Sequence, residues 1–387
     1  MDQPSTDQRD VIEQTGLLSA LQALFERDDV SIVEWEQSSP GTPGTTAALV
    51  SRLQGVARVQ GQTHPWSLIR KTLLSPEQRQ VDPAHRTETP SGINYWKREF
   101  YAYQSDLLND LPSGFTRPRC FHAQETQDEC TLWLEVLHDE IEQWPLARYG
   151  VAAHHLGTFG GRLEIAQKIT DYPWLSVEIA RQRERNNRET FARFDELRQH
   201  PIVHRGWPDD VAQGIIQIWE EREEFYRVLR ELPQVLQHGD AGRRNLMALT
   251  GKGGEAQTGG IDWGYMGMGA VGEEISATVL SPVIWFQGID PEQLPALETL
   301  VLDGYSEGLR QVGWQGDPAL IRLGYLCSVA LRYGPNIVFP EILAMDPKVA
   351  EGMQKRFGRS IDEWVDRLAL VRRFVIQRAN EARQLTA

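Results

Sequence analysis

The sequence predicts an α+β protein in two lobes, β-rich to about Leu134 and mostly α-helical beyond, and three observations carry that reading. The chain has 387 residues, more than the roughly 100–200 of one average domain. Between Ser31 and Leu73 short runs rich in Val, Ile, Leu and Thr alternate with Gly, Pro and Ser, the pattern of an antiparallel sheet with tight connections. From Trp144 onward the apolar residues recur with helical spacing. The expected division is an N-terminal extension at 1–30, a β-rich N-lobe at 31–134 and a helical C-lobe at 135–387.

Taken in order, SIVEWEQ, TTAALVSRL and HPWSLIRKTLL read as strands, parted by SSPGTPG and QGQTH. Trp96, Phe100, Tyr103 and Leu107 stand four, three and four apart, one stripe of an amphipathic helix over Tyr95 to Leu108. TLWLEVL is a further strand. Helices are expected over Trp144 to about Gln167, roughly Ser176 to His200, Asp209 to Leu232 and most of Glu292 to the C-terminus. GKGGEAQTGG, at 251–260, reads as an exposed loop.

Composition excludes several classes. With 41% apolar and 24% charged residues the chain fits a folded globule rather than a coiled coil or a disordered tail. Lys and Arg number 40 against 54 Asp and Glu, a formal charge of −14, which repels nucleic acid and anionic lipid, so neither partner is expected. Cys120, Cys130 and Cys327 form no CxxC pair, which suggests neither a disulfide framework nor a thiolate metal site. The polar, acidic start lacks the pattern of an export signal. The longest apolar stretch, about Ile275 to Phe286, falls short of the roughly 20 residues of a bilayer span. A cytoplasmic location is the expectation.

Chemistry concentrates in LQHGDAGRRNLMAL, with His238, Asp240 and Asn245, and in GGIDWG, with Asp262. Leu246 to Leu249 and Gly260 to Ile261 are short apolar strands flanking the Gly-rich loop, so they should form a hairpin. Its open ends would set Asn245 beside Asp262, within about 5 Å across an antiparallel pair. Both offer the oxygen ligands that Mg²⁺ prefers. Asp240, in the loop upstream, would then accept a proton from a substrate hydroxyl. Singly, each residue is accounted for by turn chemistry, since Asp and Asn cap backbone amides in turns. All three together point to phosphoryl transfer. His238, two residues before the base, orders the loop rather than moving protons.

HGDAGRRN followed by IDWG resembles the aminoglycoside phosphotransferase and choline kinase-like family of the protein kinase-like superfamily. The likeness extends over the architecture from about Ser31 to the C-terminus. It implies a two-lobed protein kinase-like fold with ATP and Mg²⁺ as cofactors. It also implies Asp240 as catalytic base, and Asn245 and Asp262 as metal ligands. The family places a lysine on the third strand. Strand alternation puts Ser67, Ile69, Lys71 and Leu73 on one face and Trp66, Leu68, Arg70 and Thr72 on the other, which leaves Arg70 and Lys71 both open; the resemblance favours Lys71, paired with Glu99. Leu134, Glu135 and Val136, in LWLEVL, resemble the segment whose backbone pairs with adenine, and SSPGTPGTT at 38–46 the loop over the phosphates. Glu274, in GAVGEEIS, falls where the family often has an Asp supporting the catalytic loop. The expected activity moves the γ-phosphoryl group of ATP to a hydroxyl of a small molecule: an aminoglycoside or other antibiotic, an amino alcohol or a sugar. The rivals are a nucleotide-binding pseudokinase without turnover and an AMP transferase of the same fold.

Overall fold

In chain order the strands are β1 (Val30–Ser38), β2 (Ala48–Val59), β3 (Gln62–Leu74), β4 (Phe115–Thr116), β5 (Cys120–Glu125), β6 (Glu129–Leu134), β7 (Ser176–Val177), β8 (Gln234–Gln237), β9 (Leu246–Thr250), β10 (Ala256–Gly260) and β11 (Gly267–Ala270). The computed structural model describes residues 6–38, 48–79, 89–162, 171–184, 188–335 and 340–386. The chain divides into two compact units, one of Met1–Pro90, Asn94–Asp110 and Arg117–His138, the other of Ser91–Ile93, Leu111–Thr116 and Asp139–Ala387.

In the first unit one sheet runs β1-β2-β3-β6-β5, antiparallel at every step. The residues read as an N-terminal extension form a helix, Thr6–Phe25, that belongs to this unit. Its Leu17 and Leu21 are fully buried in one cluster with Leu53, Ala57, Trp66, Leu68 and Trp133. A five-stranded sheet with one open face would otherwise expose these side chains, so burying them on the helix is the main apolar gain of this unit. Because Trp66 and Leu68 point to the helix, alternation turns Lys71 to the opposite face. The helix expected over 95–108 is shorter, Arg98–Gln104 with a 3₁₀ turn at Asp106–Leu108.

The second unit is mostly helical, with two small three-stranded sheets, β4-β10-β9 and β7-β11-β8. β10 pairs antiparallel with β9 and parallel with β4, which is why Leu111–Thr116 belong here although they lie within the β-rich stretch of sequence. Helix Leu146–Gly160 packs along Leu294–Gln311 at glycine contacts; a Cβ on Gly157 or Gly308 would stand 2.3 or 2.0 Å from a carbonyl oxygen of the facing helix. Helix Pro318–Tyr333 packs on Asp209–Glu231 and Ile361–Thr386.

Two sequence expectations fail. The helix expected over Ser176 to His200 is broken into β7 and short helices at Ile179–Glu184, Arg188–Ala192 and Phe194–Leu197. Ser176 and Val177 are drawn into the ladder with β11, and Glu178 turns the chain at φ 48°. Half of the loop expected at 251–260 is strand, since Ala256 to Gly260 pair with Thr250 to Leu246. Ladder hydrogen bonds come from the backbone, so a partner on each side overrides the low strand propensity of glycine. The three cysteines are free thiols. Among the described residues no helix is long and apolar enough to cross a membrane.

Candidate active site

β8 delivers the HGDAGRRN loop and β9 leaves from it. Gly239 has φ +81°, and a Cβ there would stand 2.2 Å from the Tyr265 carbonyl oxygen, so only glycine fits between His238 and Asp240. His238 is fully buried. Its Nε2 lies 2.8 Å from the Ile261 carbonyl oxygen, an acceptor only, which makes Nε2 the protonated nitrogen and leaves Nδ1 to accept from the Asp240 N–H at 3.3 Å. The ring rests on Trp263, centroids 4.6 Å apart. His238 thus ties the loop to the segment after β10, an ordering role.

Helix Ile275–Ile284 holds the loop from below. The Glu274 carboxylate accepts the His238 N–H at 3.0 Å, Thr278 Oγ1 donates to the Ala241 carbonyl at 2.9 Å, and Ser281 Oγ accepts the Arg243 N–H at 3.2 Å. The longer Glu274 therefore does reach the loop. Burial pushes its carboxyl up to about 8, working against the hydrogen bond from His238 and reinforced by neighbouring Glu273. A carboxyl raised on folding contributes stability that is complete below its unfolded pKa, near 4.5, and is lost as pH rises through 8. Glu274→Gln keeps an acceptor and removes the titration. Its denaturation midpoint is therefore expected to gain on wild type between pH 5 and 8, by about 1–3 kcal/mol; a difference constant with pH would contradict the assignment.

Arg243, to which the sequence reading gave no role, anchors the other side of the loop. Its guanidinium pairs with Asp139 at 2.5 Å and donates to the carbonyls of Leu246, Ile141 and Glu142 at 3.1, 3.0 and 3.2 Å. It lies 4.3 Å from the Trp144 ring centroid. Asp139 in turn accepts the Ala248 N–H of β9 at 2.9 Å.

Asp240 is gripped from two sides. Asn245 Nδ2 donates to its carboxylate at 3.0 Å and to its carbonyl oxygen at 2.9 Å, and Arg332 pairs with the other carboxylate oxygen while donating to the Gly239 carbonyl at 3.2 Å. Burial pushes the carboxyl up, but the positive charges of Arg332, then Arg183 and Arg244, outweigh it and hold Asp240 below its ordinary value. The Asp240 side chain keeps 29% exposure, so its carboxylate reaches solvent. Since both Nδ2 bonds end on acceptors, the orientation of the Asn245 amide is settled and its Oδ1 is the oxygen offered elsewhere.

The hairpin is present: Leu246 pairs with Gly260, and the Ile261 N–H donates to the Asn245 carbonyl at 2.9 Å. Asp262, one residue on, adopts left-handed φ 61°, ψ 64°. This strained position is one that Asp tolerates and that clusters at functional sites. Asn245 Oδ1 and the Asp262 carboxylate are a hard-oxygen set that fits Mg²⁺, which needs only one or two protein ligands beside water and phosphate. Among the described residues no group of three or more His, Cys, Asp or Glu is arranged to hold a metal.

In the first unit Lys71 Nζ stands 2.5 Å from the Glu99 carboxylate, both nearly buried, while half-buried Arg70 donates to Gln37 at 3.2 Å. Of the two residues left open by alternation, Lys71 is the one that pairs with Glu99. Lys71→Ala and Glu99→Ala are each expected to cost about 3 kcal/mol, because each strands a buried charge. The double variant should cost well under the sum; additive denaturation midpoints would contradict this pairing. β6 ends at Leu134. The exposed Glu135 spends its N–H on the Arg119 carbonyl at 2.8 Å and its carboxylate on the Arg119 N–H at 3.0 Å, whereas half-buried Val136 has no such backbone bond among the described residues. The 38–46 loop, past Ser38, lies outside the described residues.

Sequence reasoning missed Arg332 and Arg183. Arg332 follows Tyr325 and Val329 at intervals of four and three on helix Pro318–Tyr333, and those two are fully buried. An arginine on a buried stripe is a sign of an internal anion.

A sheet-rich unit followed by a helical unit with this loop and hairpin is the architecture of the kinase-like phosphotransferases. The chain belongs to the phosphotransferase enzyme family, whose sequence model matches residues 109–312, just over half of it. No curated protein matches it. Among solved structures it is similar to an amicoumacin kinase in complex with AMP-PNP, Ca²⁺ and amicoumacin, at 16% identity and TM-score 0.44 over 90% of this chain and 94% of that one. It is also similar to the GDP complex of aminoglycoside 2'-phosphotransferase-IIIa, at 11% identity and TM-score 0.44 over 91% and 99%. A third is a spectinomycin phosphotransferase with ADP and spectinomycin, at 11% identity and TM-score 0.42 over 87% and 93%.

Proposed function

We propose that this phosphotransferase moves the γ-phosphoryl group of Mg-ATP to a hydroxyl of a small molecule. The observation that carries the reading is the Asp240–Asn245 pair, in which one amide joins the base to a hard-oxygen ligand. Asp240 takes the proton of the acceptor hydroxyl as that oxygen bonds to the γ-phosphorus and ADP departs with the bridging oxygen. Asn245 and Asp262 would hold the metal, which when bound would neutralise charge on the phosphates. Lys71, held by Glu99, meets the nucleotide phosphates, and the backbone at Leu134, Glu135 and Val136 meets the base. His238, Glu274, Thr278, Ser281 and Arg243 keep the loop in place, so that Asp240 needs no reorganisation when the acceptor arrives.

A screen of ADP release from Mg-ATP over hydroxyl compounds tests the reading. The expected result is acceptor-dependent ADP release that is lost in Asp240→Asn. Pyrophosphate in place of ADP would indicate AMP transfer, and nucleotide binding without either product a silent binding module.

A further inference from the structure

The loop residue next to Asn245 leans on aromatic side chains that the phosphotransfer reading leaves unused. Arg244 is exposed, and among the described residues it makes no hydrogen bond or ion pair; its guanidinium lies 5.3 Å from the ring centroid of Trp285. Trp285 stands one helical turn beyond Ser281, whose Oγ accepts the Arg243 N–H at 3.2 Å, and its own N–H donates to the Ser281 carbonyl at 3.0 Å. The helix that supports the catalytic loop therefore also sets this ring beside it.

Trp285 opens an aromatic cluster. Phe357 stands 5.9 Å from it at 28°, Phe286 lies 6.2 Å from Phe357 at 42°, and Trp364 lies 5.4 Å from Phe357 at 40°. Trp364 is buried, with its indole N–H donating to the Ile284 carbonyl at 3.1 Å, and forms the floor. Trp285, Phe286 and Phe357 stay half-buried. Phe286 holds φ 53°, a conformation that is uncommon for a bulky residue and that collects at functional sites. Helix Pro347–Phe357, which brings Phe357, has no buried residue, although its Val349, Met353 and Phe357 form one apolar stripe at intervals of four. Burial within the chain thus does not account for that stripe.

The charge around the cluster is positive. Arg367 and Arg359 lie 4.4 and 5.9 Å from the Phe286 ring centroid, and Arg356 lies 5.5 Å from that of Phe357. Arg367 pairs with Asp290 and Arg359 with Glu363, whereas Arg244, in the same loop as Asp240, keeps its charge unpaired. The π face of an aromatic ring is attracted to guanidiniums, and an ammonium group is repelled by them.

Resting on the phosphotransfer reading above, we propose that the acceptor carries an aromatic ring near the hydroxyl that is phosphorylated, and that Trp285, Phe286 and Phe357 receive this ring with Arg244 against it. The tilted arrangement of the cluster is one that a further ring can join. These side chains are specificity residues: they hold the ring so that the hydroxyl lies toward Asp240. A polycationic aminoglycoside has no aromatic ring to offer and is opposed by Arg244.

The test uses full-length protein loaded with Mg-AMP-PNP and two matched series, phenyl, cyclohexyl and methyl β-D-glucoside, and phenylethanol, cyclohexylethanol and propanol, with kanamycin beside them. Saturation-transfer NMR and melting temperature are read at about 10 mM probe, and ADP release from Mg-ATP is followed in parallel. In at least one series the phenyl member is expected to bind about tenfold more tightly than its small alkyl partner, more tightly than its cyclohexyl partner, and with the higher kcat/KM. Trp285→Ala and Phe357→Ala should each lose most of that preference, Trp285→Phe should keep part of it, and Arg244→Gln should weaken it by a smaller factor. Should Trp285→Ala fail to fold, Phe357→Ala, at the end of a helix with no buried residue, carries the test. The proposal is overturned if no phenyl probe binds more tightly than both of its partners, if kanamycin is preferred, or if the preference is the same in wild type, Trp285→Ala and Phe357→Ala. Efficient ADP release with non-aromatic acceptors alone would sink the ring subsite and leave phosphotransfer standing. Failure to bind AMP-PNP would remove the phosphotransfer reading and the subsite with it.

Discussion

Asp240→Asn is expected to lower kcat by about 10²–10⁴, the share a positioned general base contributes, while nucleotide affinity stays close to wild type. The asparagine keeps the shape that Asn245 and Arg332 grip, but it cannot take the acceptor proton. Because it also leaves Arg332 facing a neutral amide, the variant should be less stable at neutral pH, so rates are to be compared per folded molecule. The pH dependence follows from the same contacts. Asp240 is held below its ordinary value; a depressed carboxyl stays ionised, and supplies its share of stability, until pH falls through that lowered value. Any acid limb of kcat/KM due to Asp240 should therefore lie below pH 3.8, and Arg332→Gln should move it upward. A variant retaining kcat within about threefold of wild type, a change too small for loss of a base, would remove Asp240 from that role.

Asp262→Ala should raise the Mg²⁺ concentration for half-maximal rate by about tenfold or more and lower kcat as well, since the carboxylate is the charged member of a two-residue set. Asn245→Ala should do so less. The left-handed backbone at Asp262 complicates the reading, because alanine pays about 1–2 kcal/mol there. Asp262→Asn tolerates that conformation and separates lost ligation from lost stability. If neither Asp262 variant needs more metal than wild type, the hairpin end is not the metal site.

The parts of the site legible in the sequence are the local ones. His238, Asp240 and Asn245 share an eight-residue loop, and the hairpin that brings Asp262 back to Asn245 is a short-range structure encoded by apolar runs around a Gly-rich turn. The ordering role of His238 was readable for the same reason. Where prediction failed, a distant strand had intervened: β11 captured Ser176 and Val177, and β9 captured Ala256 to Gly260. Such pairings reward backbone groups whatever the side chains, so no local pattern announces them.

By itself, then, the sequence determined the succession of a β-rich and a helical part and the loop and hairpin that carry the candidate chemistry, because periodicity and turn residues act over a few neighbours. Only the tertiary structure decided what surrounds that chemistry. It paired Lys71 rather than Arg70 with Glu99, since burying Trp66 and Leu68 on the Thr6–Phe25 helix turns Lys71 to the face where Glu99 stands. It also brought Arg332 to Asp240 across 92 residues of chain and Arg243 to Asp139. Electrostatic pairing of that kind depends on distance in space, which spacing along the chain does not report until the helices have packed.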